Sequence, residues 1–511
     1  PNYNGSVHFH CGMKDTTIPP YACQLAYLIS TSAKERKIFW HNRGHSMPKS
    51  EYLNETLEFF SGGSTGSSTT SSPEEILNKL YSTAPKTKRT ERGEPPIHVL
   101  FVLHIEPKLN KSKVMWLGSP DVQKEYNEVK QELIWLTYFC SKSGVKMTAL
   151  FNGWYMQLVD RKHDTAHILK LLQDGHEIGT HAHNICYDSS SDTWYVCSNP
   201  DRWFADAKKC VDDVVLKLPG GNNRIMCAMF QRGQYSQECN LMTKYGYIIG
   251  LGNRPEIAIK SFGHIVWNPW RASCIDCPPG KEYLSLRENF STPFVSIDHR
   301  AQIGSPKSHN VDSTVPTLKR QFIILFIEWK VRDAFDIENK TWCWGVVHHP
   351  NYGSTYNKAI EEFFTWLNDN FVNKETGKAS VIAVYSTASE VAFEYYNWES
   401  THPGSSSFDY DGVNYPYYCE FAKNLLLNAN YTGEDEIDAI GKPFKVKAFI
   451  FKDKSGETII VLWNRIDTLL VVNLTKYFSG KVMLYAPWGS YVIVDANSVP
   501  IEDVPLIVMK N

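Results

Sequence analysis

Residues 174–184 read DGHEIGTHAHN. Three of the chain's 17 histidines fall here, around a glutamate and two glycines. HEIGTHAH reads as a strand. The preceding HDTAHILKLLQDG reads as a short helix with Asp164 at its cap and Gly175 as its stop. Side chains two apart on a strand share a face. His181 and His183 therefore project together, while His176 falls out of phase and reads as structural. A histidine pair at a strand end is either a polar terminus or half of a metal site, and the rest of the chain has to separate the two.

On either side of this stretch, strands and helices alternate. IHVLFVLHI (97–105) is a run of β-branched and apolar residues. A helix follows with Ser119 as N-cap and Pro120 at its first position, then the strand VKMTALF. His163 and His167, on the helix before the quoted stretch, read as solvent-facing. Beyond it come DRWFADAKKCVDDVVLKL as helix, RIMCAMF as strand, SQECNLMTKYG as helix and YIIGLG as strand. QFIILFIEW and WCWGVVHH read as strands, KAIEEFFTWLNDNFV as a helix, SVIAVYS as a strand and TASEVAFEYYNW as a closing helix. This alternation predicts an α/β fold with a parallel sheet, closed or open, whose chemistry sits at strand ends.

The flanks differ. SGGSTGSSTTSSP (61–73) has no apolar residue and reads as a linker. After Trp398 a turn-rich stretch leads to six short strands: FKVKAFIF, ETIIVLWN, LLVVNL, KVMLYAP, SYVIVD and PLIVMK. The expected organisation is an N-terminal region or arm (1–60), a Ser/Gly/Thr-rich linker (61–95), the α/β domain (96–400), a connector (401–442) and a β-sandwich module (443–511).

With 53 basic and 55 acidic residues, nothing marks the chain for nucleic acid. No apolar run reaches the roughly 18 residues a membrane span needs. The chain begins at Pro1, which fits removal of a leader. Twelve cysteines often lie close in sequence, as Cys11 and Cys23, Cys186 and Cys197, Cys227 and Cys239, Cys274 and Cys277 do. Such spacings suit short disulfide loops in an oxidising compartment. Sequons at Asn4, Asn54, Asn110, Asn289, Asn339, Asn430 and Asn473 point the same way, to a secreted or cell-surface glycoprotein.

Three polar clusters fall at expected strand ends. His104 and Glu106, two apart in VLHIEP, share a face; so do His181 and His183; His348 and His349 close VVHHP. Imidazoles and a carboxylate converging from such ends would bind Zn²⁺ or another divalent metal and leave a position open for water. Metal-bound water and a polarised carbonyl are the equipment for amide or ester hydrolysis.

GHEIGTH resembles the GHEIGSH signature of the polysaccharide deacetylase family, the NodB-homology carbohydrate esterases. FVLHIEP sits where that family has its TFDDGP-like strand. FQRGQY followed by a helix is similar to its arginine motif, and WGVVHHPN to the strand that delivers its catalytic histidine. The resemblance covers roughly residues 95 to 400. It implies a distorted seven-stranded (β/α) barrel that binds a divalent metal and removes acetyl groups from N-acetylated sugars. It also implies Glu106, His181 and His183 as metal ligands. Glu106 or His104 takes the place of the first-motif aspartates, Arg232 orients the base, and His349 protonates the leaving amine. The chain departs from the family in two places. His104-Ile105-Glu106 replaces adjacent aspartates, and Ile185 occupies the position of the second motif histidine.

The resulting expectation is an extracellular metal-dependent deacetylase acting on a glycan. Two others compete with it. One is a non-catalytic surface or filament-forming protein, built on the same barrel and assembling as a homo-oligomer through the N-terminal arm. The other is a glycoside hydrolase using Glu106 and Glu328 on barrel strands.

Overall fold

The computed structural model describes residues 6–12, 35–41, 71–82, 95–108, 114–182, 184–228, 235–251, 267–273, 289–297, 301–303, 314–335, 340–376, 381–407 and 419–511. The chain forms two compact units, Pro1–Lys86 with Pro416–Asn511, and Thr87–Tyr415.

The first unit opens with β1 (Ser6–Gly12) and β2 (Glu35–His41), paired in parallel. Helix α1 (Pro73–Tyr81) follows, inside the stretch expected to be linker. Its start is a capping box. Ser72 Oγ accepts from the Glu75 N–H at 3.2 Å, and Glu75 Oε2 accepts from the Ser72 N–H at 2.9 Å. Leu77 and Leu80 form its buried side. The Ser-rich run conceals this S-x-x-E signature because the serine that caps the helix is also the last of the low-complexity series.

The second unit contains β3 (Ile97–Ile105), β4 (Met115–Trp116), α2 (Pro120–Ser143), β5 (Met147–Phe151), α3 (Gly153–Lys162), α4 (Ala166–Gln173) and β6 (Glu177–Ala182). It continues through β7 (Ile185–Asp188), β8 (Thr193–Val196), α5 (Pro200–Val215), β9 (Ile225–Ala228), α6 (Tyr235–Lys244), β10 (Ile249–Leu251), β11 (Val295–Ile297) and β12 (Ala301–Ile303). It ends with α7 (Val315–Phe335), β13 (Trp342–His348), a 3-10 segment (Pro350–Tyr356), α8 (Asn357–Asn370), β14 (Ala383–Tyr385) and α9 (Ala388–Thr401). Nine strands make one sheet in the order β11-β10-β9-β6-β5-β3-β13-β12, with β14 also paired to β3. Every pairing in it is parallel. The result is a nearly closed, barrel-like parallel sheet of the expected α/β class. β3 is buried at all nine positions, as a strand covered on both faces must be. Ser119 accepts from the Val122 N–H to cap α2, and Gly144 ends that helix at φ +72.

QFIILFIEW is not a strand; it is the middle of α7. Phe322, Ile323, Leu325, Phe326 and Trp329 are all fully buried, so the helix is covered on every face and shows no amphipathic period. A short continuous apolar run cannot distinguish this case from a buried strand. Phe322 and Phe326 lie 5.0 and 5.1 Å from Phe371, tying α7 to the end of α8. Glu328 therefore sits on a helix, where its carboxylate accepts from Trp267 Nε1. The two-carboxylate arrangement on barrel strands loses its second member.

The remainder of the first unit comprises α10 (Glu420–Leu427), β15 (Asn430–Asp438), β16 (Lys445–Lys452), β17 (Thr458–Trp463), β18 (Leu470–Val472), β19 (Lys481–Tyr485), β20 (Tyr491–Asp495), β21 (Val499–Ile501) and β22 (Leu506–Lys510). A six-stranded sheet runs β15-β16-β17-β22-β19-β20, and β18 pairs with β21 in a second sheet. The six expected strands are present and two more join them. β15 starts inside the expected connector. As an edge strand it buries only Tyr431 and carries Glu434, Asp435, Glu436 and Asp438, so its sequence lacks the apolar alternation of the others.

Gly179, in the quoted stretch, is required by packing. A Cβ there would lie 2.7 Å from the Ile225 carbonyl oxygen and 2.8 Å from Leu150 Cδ2. Gly179→Ala is expected to cost about 1–3 kcal/mol of stability by forcing β6 away from β9. Urea denaturation measures it; an unchanged midpoint would show that the strands move apart freely.

Candidate functional site

The parallel register carries the histidines of different strands to one place. His104 on β3 pairs with Leu150 on β5, and Leu150 pairs with Gly179 on β6. His181, two residues on, shares that face and pairs with Cys227 on β9. Glu106 follows the end of β3, and His349 follows the end of β13.

These side chains converge. Glu106 Oε2 lies 3.0 Å from His181 Nε2, and its Oε1 lies 3.5 Å from His349 Nε2. The His104 ring stacks on His181 with centroids 4.4 Å apart and meets His349 edge-on at 5.1 Å. Cys227 Sγ is 3.4 Å from His104 Nε2. His181 is fully buried, Cys227, His104 and His349 nearly so, and the Glu106 side chain is 17% exposed. The carboxylate is thus the member of the cluster that reaches outward.

Two asparagines hold the strand ends. The Asn152 N–H donates to the Ile105 carbonyl at 3.0 Å, and its Nδ2 donates to the His181 carbonyl at 3.1 Å. Its Oδ1 also caps α3 by accepting from the Trp154 N–H. Asn351 Nδ2 donates to the Glu106 carbonyl at 3.1 Å. Neither asparagine is among the residues singled out by sequence, because their bonds go to main-chain atoms of distant strands.

The other expected site residues divide. His183 and Arg232 lie outside the described residues. His348 separates from its neighbour: its Nδ1 donates to the Ile303 carbonyl at 3.1 Å, and burial lowers its pKa to about 3. His176 is buried in β-sheet packing, accepting from the Met147 N–H at 3.3 Å. His167, expected at the surface, is buried against Tyr155, whose hydroxyl lies 2.9 Å from Nε2. The helix α4 turns that side inward. Cys186 and Cys197 are bridged as expected, across the β7–β8 hairpin. Cys227 is not bridged to Cys239; Cys239 is in a disulfide, while Cys227 is a buried thiol whose pKa is pushed up by burial and then by Glu106. Side chains of Cys11, Cys23, Cys274 and Cys277 lie outside the described residues.

The donor set fits a divalent cation. His104, His181 and Cys227 each offer one ligand atom, all within 4.8 Å of one another, in a buried place. A nitrogen- and sulfur-rich trio with a carboxylate and an imidazole alongside suits zinc or a similar transition metal better than Mg²⁺ or Ca²⁺.

No family model matches the chain, and no curated protein matches it. Solved structures similar to it include a "probable polysaccharide deacetylase" from Pseudomonas aeruginosa PAO1, at 13% identity and a TM-score of 0.36, covering 65% of this chain and 100% of that one. An allantoinase matches at 11% identity and a TM-score of 0.38, covering 66% and 100%. A peptidoglycan deacetylase from Bacillus subtilis matches at 11% and 0.24, covering 61% and 98%.

Two measurements test this frame. Asn152→Ala is expected to cost about 1–3 kcal/mol, since it removes a helix cap and leaves the buried His181 carbonyl short of a donor. A variant as stable as wild type would show that the asparagine is dispensable. The second concerns acid. Burial lowers His98, His167 and His176 to about 4. Unfolded, each titrates near 6.5, so between those values the unfolded chain binds protons the folded chain refuses. Stability is full above about pH 6.5 and falls as pH drops toward 4, by up to about 1.4 kcal/mol per pH unit for each such histidine. Denaturation at pH 7 and pH 5 reads the slope. His176→Gln should remove one proton from it, and an unaltered slope would count against a neutral His176.

Proposed function

We propose that this protein is an extracellular, divalent-metal-dependent hydrolase that removes N-acetyl groups from a glycan. The observation that carries the reading is the meeting of Glu106, His181 and His349, with His104 beside them, at the ends of three strands of one parallel sheet. Three of the stretches that resemble the polysaccharide deacetylases, FVLHIEP, GHEIGTH and WGVVHHPN, include β3, β6 and β13 residues that lead to this cluster. The Cys186–Cys197 bridge and the exposed sequon residues Asn430 and Asn473 support an oxidising, glycosylating compartment. Among the described residues, no helix is long and apolar enough to cross a membrane.

Hydrolysis adds water to the acetyl carbonyl, breaks the C–N bond, and releases acetate and an amine. A bound divalent cation supplies Lewis acidity toward the carbonyl and lowers the pKa of water. Glu106 is the base: its carboxylate is the outermost group of the cluster and takes a proton from the attacking water. His349, 3.5 Å from Glu106, holds the proton that passes to the departing nitrogen. His181 anchors the cation, and Asn152 and Asn351 keep the strand ends in place. Arg232 is assigned by resemblance to orient the base.

Release of acetate from N-acetylated chito-oligosaccharides by the zinc-loaded full chain tests the reading. Glu106→Gln and His349→Ala are each expected to lower kcat about 100-fold or more, with KM little changed. If metal-loaded wild type releases no acetate from any N-acetylated glycan, the barrel is a scaffold and the enzymatic reading fails.

A further inference from the structure

We propose that the centre is a thiolate site, in which Cys227, His104 and His181 hold one zinc-class cation while Glu106 and His349 stay outside the ligand set. The inference rests on the metal reading above but not on the acetyl chemistry.

Three observations support it. First, the β6–β9 register places His181 and Cys227 directly opposite each other, so the pleat turns both side chains to one face. Second, Cys227, His104 and His181 offer ligand atoms that lie within 4.8 Å of one another, and Glu106 is not part of that trio. Third, the spacing matches. A zinc–sulfur bond of about 2.3 Å and a zinc–nitrogen bond of about 2.1 Å at a tetrahedral angle put the two donors about 3.6 Å apart. Cys227 Sγ and His104 Nε2 stand 3.4 Å apart. Cys227 packs in one apolar cluster with Leu150, Ile225, Ile249 and Leu251. Among the described residues the trio supplies three ligands, and three protein ligands with a water in the fourth position are the pattern of catalytic rather than structural zinc.

The consequence is a change of roles and of metal. His104 and Cys227 do what the carboxylate and second histidine do in the motifs the chain resembles, and Glu106 becomes free for acid–base work. A thiolate ligand favours zinc and cobalt over the hard, oxygen-seeking Mg²⁺ and Mn²⁺.

The test uses the full chain loaded with cobalt(II) in place of zinc. A near-ultraviolet thiolate-to-cobalt charge-transfer band is expected in the wild type and absent in Cys227→Ser. Chelator competition should show zinc held at least about tenfold more weakly by that variant. X-ray absorption of the wild-type zinc protein, which needs no variant to fold, should require one sulfur neighbour at about 2.3 Å. A zinc shell of nitrogen and oxygen alone, or a cobalt band that survives Cys227→Ser, would overturn the proposal. These readouts do not depend on turnover. A sulfur-ligated metal without acetate release would retire the deacetylase reading and leave this one standing.

Discussion

A strand presents a side chain to a given face only at every second residue, and the centre exists because four strands, β3, β5, β6 and β9, keep the same phase. His104, Leu150, Gly179, His181 and Cys227 all lie on one face through successive parallel pairings. A slip of one residue in any of these pairings would turn a histidine or the thiol to the opposite face. Gly179 protects that phase, since its missing Cβ is what lets β5, β6 and β9 approach each other beneath the histidines.

Polar groups are concentrated at the end of an otherwise apolar stack. Leu100, Val102, Leu150, Ile225 and Val347 fill the same cluster from which the centre rises, with Ala388, Val391 and Tyr395 of α9 packed into it. Removing water there strengthens every electrostatic contact above it. That is why the one outward-reaching carboxylate, Glu106, can engage two imidazoles at once. Histidines elsewhere in the fold follow the opposite logic: His98, His176 and His348 hydrogen-bond to neutral groups and are held uncharged by burial.

How much of this was legible in the sequence depends on whether the signal was local. DGHEIGTHAHN reveals its strand, its preceding helix stop and the phase that separates His181 from His176, because period and turn chemistry are written in neighbouring residues. Strand-end positions alone predict that the polar clusters around His104, His181 and His348 meet; they do not say that His349 rather than His348 is the one that approaches Glu106. Nor do they point to Cys227, because sequence proximity suggested Cys239 as its partner; only the β6–β9 register reveals His181 opposite it. Its place near the end of RIMCAMF, a strand leading into the arginine-like motif, was the one available hint. The middle of α7 reads as a strand because a helix buried on all sides has no period to show, and α1 reads as linker because its capping serine is one of a run of serines.

Asn152 and Asn351 make a different kind of contact from the rest of the site. They grip carbonyls, those of Ile105, His181 and Glu106, and a carbonyl is present whatever side chain the residue carries. The position of each strand end is therefore independent of the chemistry mounted on it. Sockets of this kind can exchange their occupants one at a time without the frame being rebuilt. The side chains at residues 104–106 can thus change while the main chain that carries them stays where these asparagines hold it.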